Sequence, residues 1–119
     1  MSELFKKQTI FTKLLTELIV FAYSKGYQIT LGEAWRPDIT AQAYAKQGKG
    51  IKNSLHSKRL AIDLNLFKDG KYLDKSEDHR FLGEFWESLG KKNKIDACWG
   101  GRFKRPDGNH YSIAHEGVK

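Results

Sequence analysis

The sequence predicts an α+β fold, a small antiparallel sheet with helices packed on one side. Three observations predict it. Residues 4–22 and 81–89 repeat apolar side chains at helical spacing. Residues 60–67 alternate at strand spacing and run into an Asp69-Gly70 turn. Successive strands near the C-terminus are joined by a turn rather than a helix, which argues for antiparallel pairing.

Each element has its own signal. In the first helix Leu4, Phe11, Leu14, Leu15, Leu18, Phe21 and Ala22 recur at steps of three and four, building one apolar face. Ser2 or Thr9 can cap its start, and Gly26 suits a left-handed end. Residues 27–31, with β-branched Ile29 and Thr30, read as a short strand, and 32–37 as a loop. Asp38 can cap a helix over 39–47 that stops at Gly48, and 48–57 is a polar loop. In the clearest strand Leu60, Ile62, Leu64 and Leu66 fall on one face, with Ala61, Asp63, Asn65 and Phe67 on the other. The chain returns through residues 71–73. Ser76 is expected to cap a second amphipathic helix carrying Phe81, Leu82, Phe85, Trp86 and Leu89, ended by Gly90 and Lys91-Lys92. Residues 97–99 and 110–114 are the last strands, separated by the turn sequence Pro106-Asp107-Gly108-Asn109. Neither a linker, a repeat nor a glycine-rich phosphate loop is visible, so one domain over residues 1–119 is expected, without a nucleotide-binding βαβ unit.

Composition narrows the function. The 119 residues carry 21 Lys+Arg against 14 Asp+Glu, a net charge of +7. Hydrophobic residues at 39% and aromatics at 13% exclude a disordered tail. A single cysteine, Cys98, excludes an intrachain disulfide and a Cys₂His₂ finger; it reads as a small core residue. Nothing approaches the ~20 apolar residues of a membrane span. After Lys6-Lys7 the residues Gln8, Thr9, Thr12 and Lys13 break any secretory apolar core, so synthesis in the cytoplasm is expected. The positive charge favours a polyanion, either nucleic acid or a wall polymer. Lys46, Lys49, Lys52 and Lys58 around the loop before His56 could serve that purpose, with a solvated surface as the plain alternative.

Four histidines are present: His56, His79, His110 and His115. Residues 57–59 can turn the chain so that His56 and Asp63 converge, although a straight strand would point them apart. His110 opens the last strand, three residues after Asp107, and shares a face with Ser112. If that face meets Asp63, two imidazoles and a carboxylate form a ligand set for catalytic zinc, with the second carboxylate as general base. The competing reading makes Asp63 a buried aspartate bonded to backbone amides and the histidines surface or capping residues. His79, in a helical first turn, reads as solvent-facing. His115-Glu116 is a weaker ligand pair because chain ends fray. Trp35 and Trp99 flank the prospective cleft and can stack on substrate or pack in the core.

Ser54-x-His56-x6-Asp63, with Ala61 two before the aspartate, resembles the SxHxxGxAxD motif of the zinc D-alanyl-D-alanine carboxypeptidases and dipeptidases. That family also includes L-alanyl-D-glutamate endopeptidases of phage endolysins. Trp99-Gly100-Gly101-Arg102-Phe103 followed by Asp107-x-x-His110-Tyr111 resembles its second motif, and Gly32-x-x-x-Arg36 with Gln42, Tyr44 and Gly48 its upstream arginine segment. The resemblance spans residues 25–115 and implies the small α+β fold shared with the Hedgehog signalling domain. It further implies one Zn²⁺ per chain on His56, Asp63 and His110, with Asp107 as catalytic base and Arg36 gripping the carbonyl or oxyanion. Ser54, Trp35 and Trp99 would be substrate contacts. Two positions depart from the pattern. The motif glycine is Arg59, which at positive φ costs ~1 kcal/mol or more, and the position two after the last ligand, often acidic in relatives, is Ser112.

The implied function is hydrolysis of peptidoglycan stem peptides, by a monomeric phage or prophage endolysin that a holin releases from the host cytoplasm, with no specific nucleic-acid partner and no membrane insertion. The alternative is a basic nucleic-acid-binding domain or a small metal-dependent nuclease, which the charge permits but no recognition motif supports.

Overall fold

Ser2 starts the first helix: its hydroxyl accepts a hydrogen bond from Phe5 N at 3.1 Å, supplying one of the acceptors that a helix start lacks. Helix α1 (Glu3–Ser24) then runs to Lys25, and Gly26 follows at φ 88°, the left-handed stop that the sequence predicts. The structure, a computed structural model, describes residues 1–48 and 54–119. Lys49 and Lys52 of the proposed basic loop lie outside the described residues.

Strand β1 (Gln28–Leu31) leads into the 32–37 loop and helix α2 (Asp38–Lys46). Asp38 does not cap α2. Pro37 holds the cap position with φ −58° and no side-chain bond, and Asp38 sits in the first turn, where its charge complements the helix dipole. A 3₁₀ turn, Leu55–Lys58, precedes strand β2 (Ala61–Lys68), which turns through Asp69 (φ 52°) and Gly70 (φ 76°) into β3 (Lys71–Leu73). Helix α3 (Arg80–Lys92) follows a 3₁₀ turn at Ser76–His79. Ser76 therefore does not cap α3; its hydroxyl accepts from Gly108 N at 2.9 Å and ties the turn to the far loop. Strands β4 (Ala97–Trp99) and β5 (His110–Ile113) complete the chain.

The sheet is antiparallel, in the order β1-β2-β5-β4, with β3 also on β2. The first half of β2 pairs with β5, placing Asp63 directly across from His110. Its second half pairs with β1 and β3. Leu60, Ile62, Leu64 and Leu66 are all buried, as the alternation requires, and meet Phe11, Leu14 and Leu18 of α1 and Leu82, Trp86 and Leu89 of α3 in one core cluster. Trp86 anchors this face: its ring meets Phe11 edge-on at 5.7 Å, and its indole N–H donates to Ser112 O at 3.0 Å. Helix α2 buries only Ala41 and adds nothing to the cluster. Among the described residues no helix is long and apolar enough to cross a membrane.

Candidate metal centre

His56 reaches Asp63 because the backbone between them folds back. Ser54 Oγ accepts from His56 N at 3.2 Å, and Leu60 N bonds Leu55 O at 2.9 Å. Arg59, at φ 56° and ψ 37°, makes the left-handed step between them. The reversal puts His56 Nε2 3.5 Å from Asp63 Oδ1. From the paired strand, His110 Nδ1 approaches the same oxygen to 3.7 Å, with the two rings 5.3 Å apart and nearly perpendicular. His56 Nδ1 lies 3.0 Å from Ala34 O, and a carbonyl can only accept, so Nδ1 carries the proton and Nε2 offers its lone pair to the cluster. Asp63 is fixed through its backbone: Asp63 N donates to Glu33 O (2.9 Å), and Gly32 N donates to Asp63 O (2.8 Å).

The three donor atoms lie within 4.8 Å of one another. Asp63 Oδ1 is buried with no hydrogen-bond partner, as is His110 Nε2. Burial alone would raise the Asp63 pKa, but the two imidazoles outweigh it and bring the carboxyl down to about 2. Burial works against His56 charging, yet Asp63 and the Ala34 carbonyl turn the net shift upward. An orphaned, fully ionised carboxylate oxygen facing two imidazole nitrogens is costly without a cation. A tetrahedral N₂O site with bonds of ~2.0–2.2 Å separates its ligands by roughly 3.3–3.5 Å, close to the two spacings seen. The residues fit a divalent ion of the zinc type.

Asp107 stands at the rim, in the turn that leads into β5. His110 N donates to Asp107 O (3.0 Å), and Asp107 N donates to Gly100 O (2.9 Å). A Cβ on Gly100 would lie 2.0 Å from Asp107 O, so only glycine lets the turn settle there. Trp99 Nε1 donates to Gly108 O at 2.7 Å and pins the same turn from below. Asp107 is an exposed residue, yet partial desolvation of its carboxyl by the surrounding turn, then the charge of Asp63, raise its pKa.

Arg36 is held rather than loose. Its Nε donates to Glu33 Oε1 at 2.8 Å, Nη2 donates to the same oxygen, and Nη1 reaches Ser54 Oγ at 3.4 Å. The guanidinium lies over Tyr44, 4.9 Å from the ring centre, and Arg36 N donates to His56 O (3.2 Å). Among the expected substrate contacts, Trp35 is 51% exposed but Trp99 only 1%. Trp99 is a core residue, corrected from the cleft-stacking expectation because its ring lies against Gly83 and Gly101 and its N–H is spent on Gly108. Ser54 is buried and supports His56 and Arg36. His79 is also corrected: it is buried, with Nδ1 2.7 Å from the Tyr111 hydroxyl, and burial lowers its pKa to about 4. His115 lies near Lys7 Nζ and outside the ligand cluster. The sequence reading missed Glu33, whose one available signal was its i,i+3 spacing to Arg36.

A family model described as D-alanyl-D-alanine carboxypeptidase matches residues 47–113, which is 67 of the 119 residues and takes in His56, Asp63, Asp107 and His110 but not Arg36. No curated protein matches the chain. Solved structures share its fold, among them the following two. The L-Ala D-Glu endopeptidase ChiX of Serratia marcescens has 18% identity and a TM-score of 0.70, covering 87% of this chain and 79% of that one. A variant of the vancomycin-resistance D,D-pentapeptidase VanY, from the VanB-type resistance cassette and in complex with Zn(II), has 17% identity and a TM-score of 0.52, covering 88% of this chain and 71% of that one.

Proposed function

Since the chain belongs to the D-alanyl-D-alanine carboxypeptidase family of peptidases, we propose that it hydrolyses a peptide bond in bacterial peptidoglycan stem peptides, using one Zn²⁺ held by His56, Asp63 and His110. The observation that carries this reading is the convergence of two imidazole nitrogens on a buried carboxylate oxygen with no other partner, three potential ligand atoms in one cluster. When bound, the ion supplies Lewis acidity, polarising the scissile carbonyl and acidifying water. Asp107 takes the proton of the attacking water and returns it to the leaving amine, a role that its raised pKa suits. Arg36, locked by Glu33 and Ser54, sets positive charge beside His56, where the carbonyl oxygen gains charge; one such donor is worth about 3–4 kcal/mol. Ser54 and Ala34 act as positioning residues, holding His56 in place.

The setting we propose is that of a phage or prophage endolysin, acting as a monomer on the wall after holin-assisted release from the host cytoplasm. The charge of +7 suits an anionic wall, and family membership favours this reading over a nucleic-acid-binding one. Purified wall should lose turbidity and gain new amine termini with this protein, and a chelator should stop both. Metal analysis of the pure protein, with mass spectrometry of the fragments, identifies the ion and the bond cut. Intact fragments from a zinc-loaded protein would refute the reading.

A further inference from the structure

Arg59 occupies the left-handed region at φ 56°, where a residue with a Cβ is strained. Its side chain is exposed, and its guanidinium carbon lies 4.8 Å from the centre of the Trp35 ring. An exposed cation–π contact is weak, so the stacking does not recover the strain. Among the described residues no carboxylate comes within ion-pair distance of Arg59.

The pair is built onto the first ligand. Arg59 N donates to His56 O at 3.3 Å, and Arg36 N donates to the same carbonyl at 3.2 Å. Ala34 O accepts from His56 Nδ1 at 3.0 Å. Trp35 is therefore flanked in sequence by two residues bonded to His56, and Arg59, bonded to the same residue, reaches over its ring. Trp86 and Trp99 are 0% and 1% exposed, leaving Trp35 as the one exposed indole of three. Stacking occupies a face of the guanidinium and leaves its N–H edge open, the edge that grips a carboxylate through two parallel bonds.

We infer that Arg59, supported by Trp35, is a specificity residue that binds a free carboxylate of the peptide beside the scissile bond, so that the enzyme selects acidic stem peptides over amidated ones. The inference rests on the peptidase reading for its substrate, but it can be tested by binding alone. The intact protein is titrated with a stem-type peptide bearing a free carboxylate next to the scissile position and with its carboxamide twin, following Trp35 fluorescence, with and without zinc. A charge-assisted bidentate contact should favour the acid peptide by about tenfold or more. In Arg59→Gln the ratio should fall close to one. Arg59→Lys should lose most of it, because the charge remains while the fork and the stack are gone. Arg59→Gly, which relieves the backbone and so folds readily, should behave like Arg59→Gln.

Equal binding of the two peptides by the wild type, binding of neither, or a ratio that survives in Arg59→Gln would overturn the inference. Full discrimination by Arg59→Lys would also overturn it, reducing the effect to diffuse charge. Selective binding of the acid peptide with hydrolysis of neither would support the carboxylate site while refuting the peptidase reading.

Discussion

Asp107 feels the charge of Asp63, yet their surroundings drive the two carboxyls in opposite directions. Against a desolvation that would raise it, Asp63 is pulled to about 2 by His56 and His110, so it stays an anion fit to hold a cation. Asp107 is raised by partial desolvation and by Asp63, which makes it the better proton acceptor. Asp107→Ala should keep the bound metal and lower kcat by ~10²–10⁴, the usual contribution of a general base; metal content and steady-state kinetics on one preparation check both halves. Asp63→Asn should lose the metal as well. In the proposed role Asp107 must be deprotonated, so activity should fall as pH drops through a pKa above the ordinary carboxylate value of 3.8, and an acid limb below that value would contradict the assignment. Arg59→Gly should be close to neutral for stability: relief of ~1–2 kcal/mol of strain is offset by ~0.5–1 from glycine's unfolded-state entropy and ~0.5–1 from the lost stack. Urea denaturation measures the balance. His56, Asp63, Asp107 and His110 stood out as candidates because they match the two motifs of the family that the sequence resembles; spacing alone, over about fifty residues, left a buried aspartate and capping histidines as an open alternative. Glu33 was not, because an i,i+3 acid-base pair is common on any surface and nothing local reveals that it clamps Arg36.

At the scale of elements, the site is a strand pair plus two reversals. β2 and β5 bring Asp63 and His110 face to face, the 55–59 turn returns His56, and the 106–108 turn presents Asp107. The last turn is bonded by Trp99 Nε1, Ser76 Oγ and the Gly100 carbonyl. Trp99→Phe keeps the ring but strands Gly108 O, so it should cost ~1–3 kcal/mol in chemical denaturation. It should also lower kcat more than metal affinity, because Asp107 drifts while the ligands hold; equal losses in both would mean that the indole merely supports the core. The long elements were readable in advance. α1 and α3 each set a buried face against an exposed one, and β2 sets a buried face against a mostly half-buried one, so periodicity records them. β4 is three residues long with both Cys98 and Trp99 buried, so alternation cannot show which way Trp99 points. Ser76 and His79 were misassigned for a related reason: the 3₁₀ turn ahead of α3 carries no hydrophobic repeat, and its bonds go to Gly108 and Tyr111, more than thirty residues away.

Across the whole molecule, stability couples to protons at His79 and to the proposed ion at the three ligands. His79 joins the turn before α3 to Tyr111 of β5, deep in the protein, and burial holds its pKa at about 4 against 6.5 for a free histidine. Between those values the unfolded chain binds a proton that the native state refuses. The His79 contribution is therefore complete above pH ~6.5 and lost as pH falls toward ~4, by an amount on the order of 3 kcal/mol. Asp63 adds a second loss lower down, between 3.8 and about 2. His56 works the other way, its raised pKa favouring the metal-free fold at low pH and losing that benefit as pH rises. Zinc changes the balance again, because its histidine ligands must be unprotonated: at ~1,000 times its dissociation constant an ion adds about 4 kcal/mol at neutral pH, and protons compete that away as pH falls. Unfolding in urea should therefore depend strongly on chelator at pH 7.5 and hardly at pH 5. In chelator, wild type should still weaken between pH 6.5 and 4.5, and His79→Asn, which can keep a bond to the Tyr111 hydroxyl without a titrating ring, should weaken much less. If His79→Asn follows the wild-type curve throughout, the acid sensitivity lies elsewhere than in the buried imidazole.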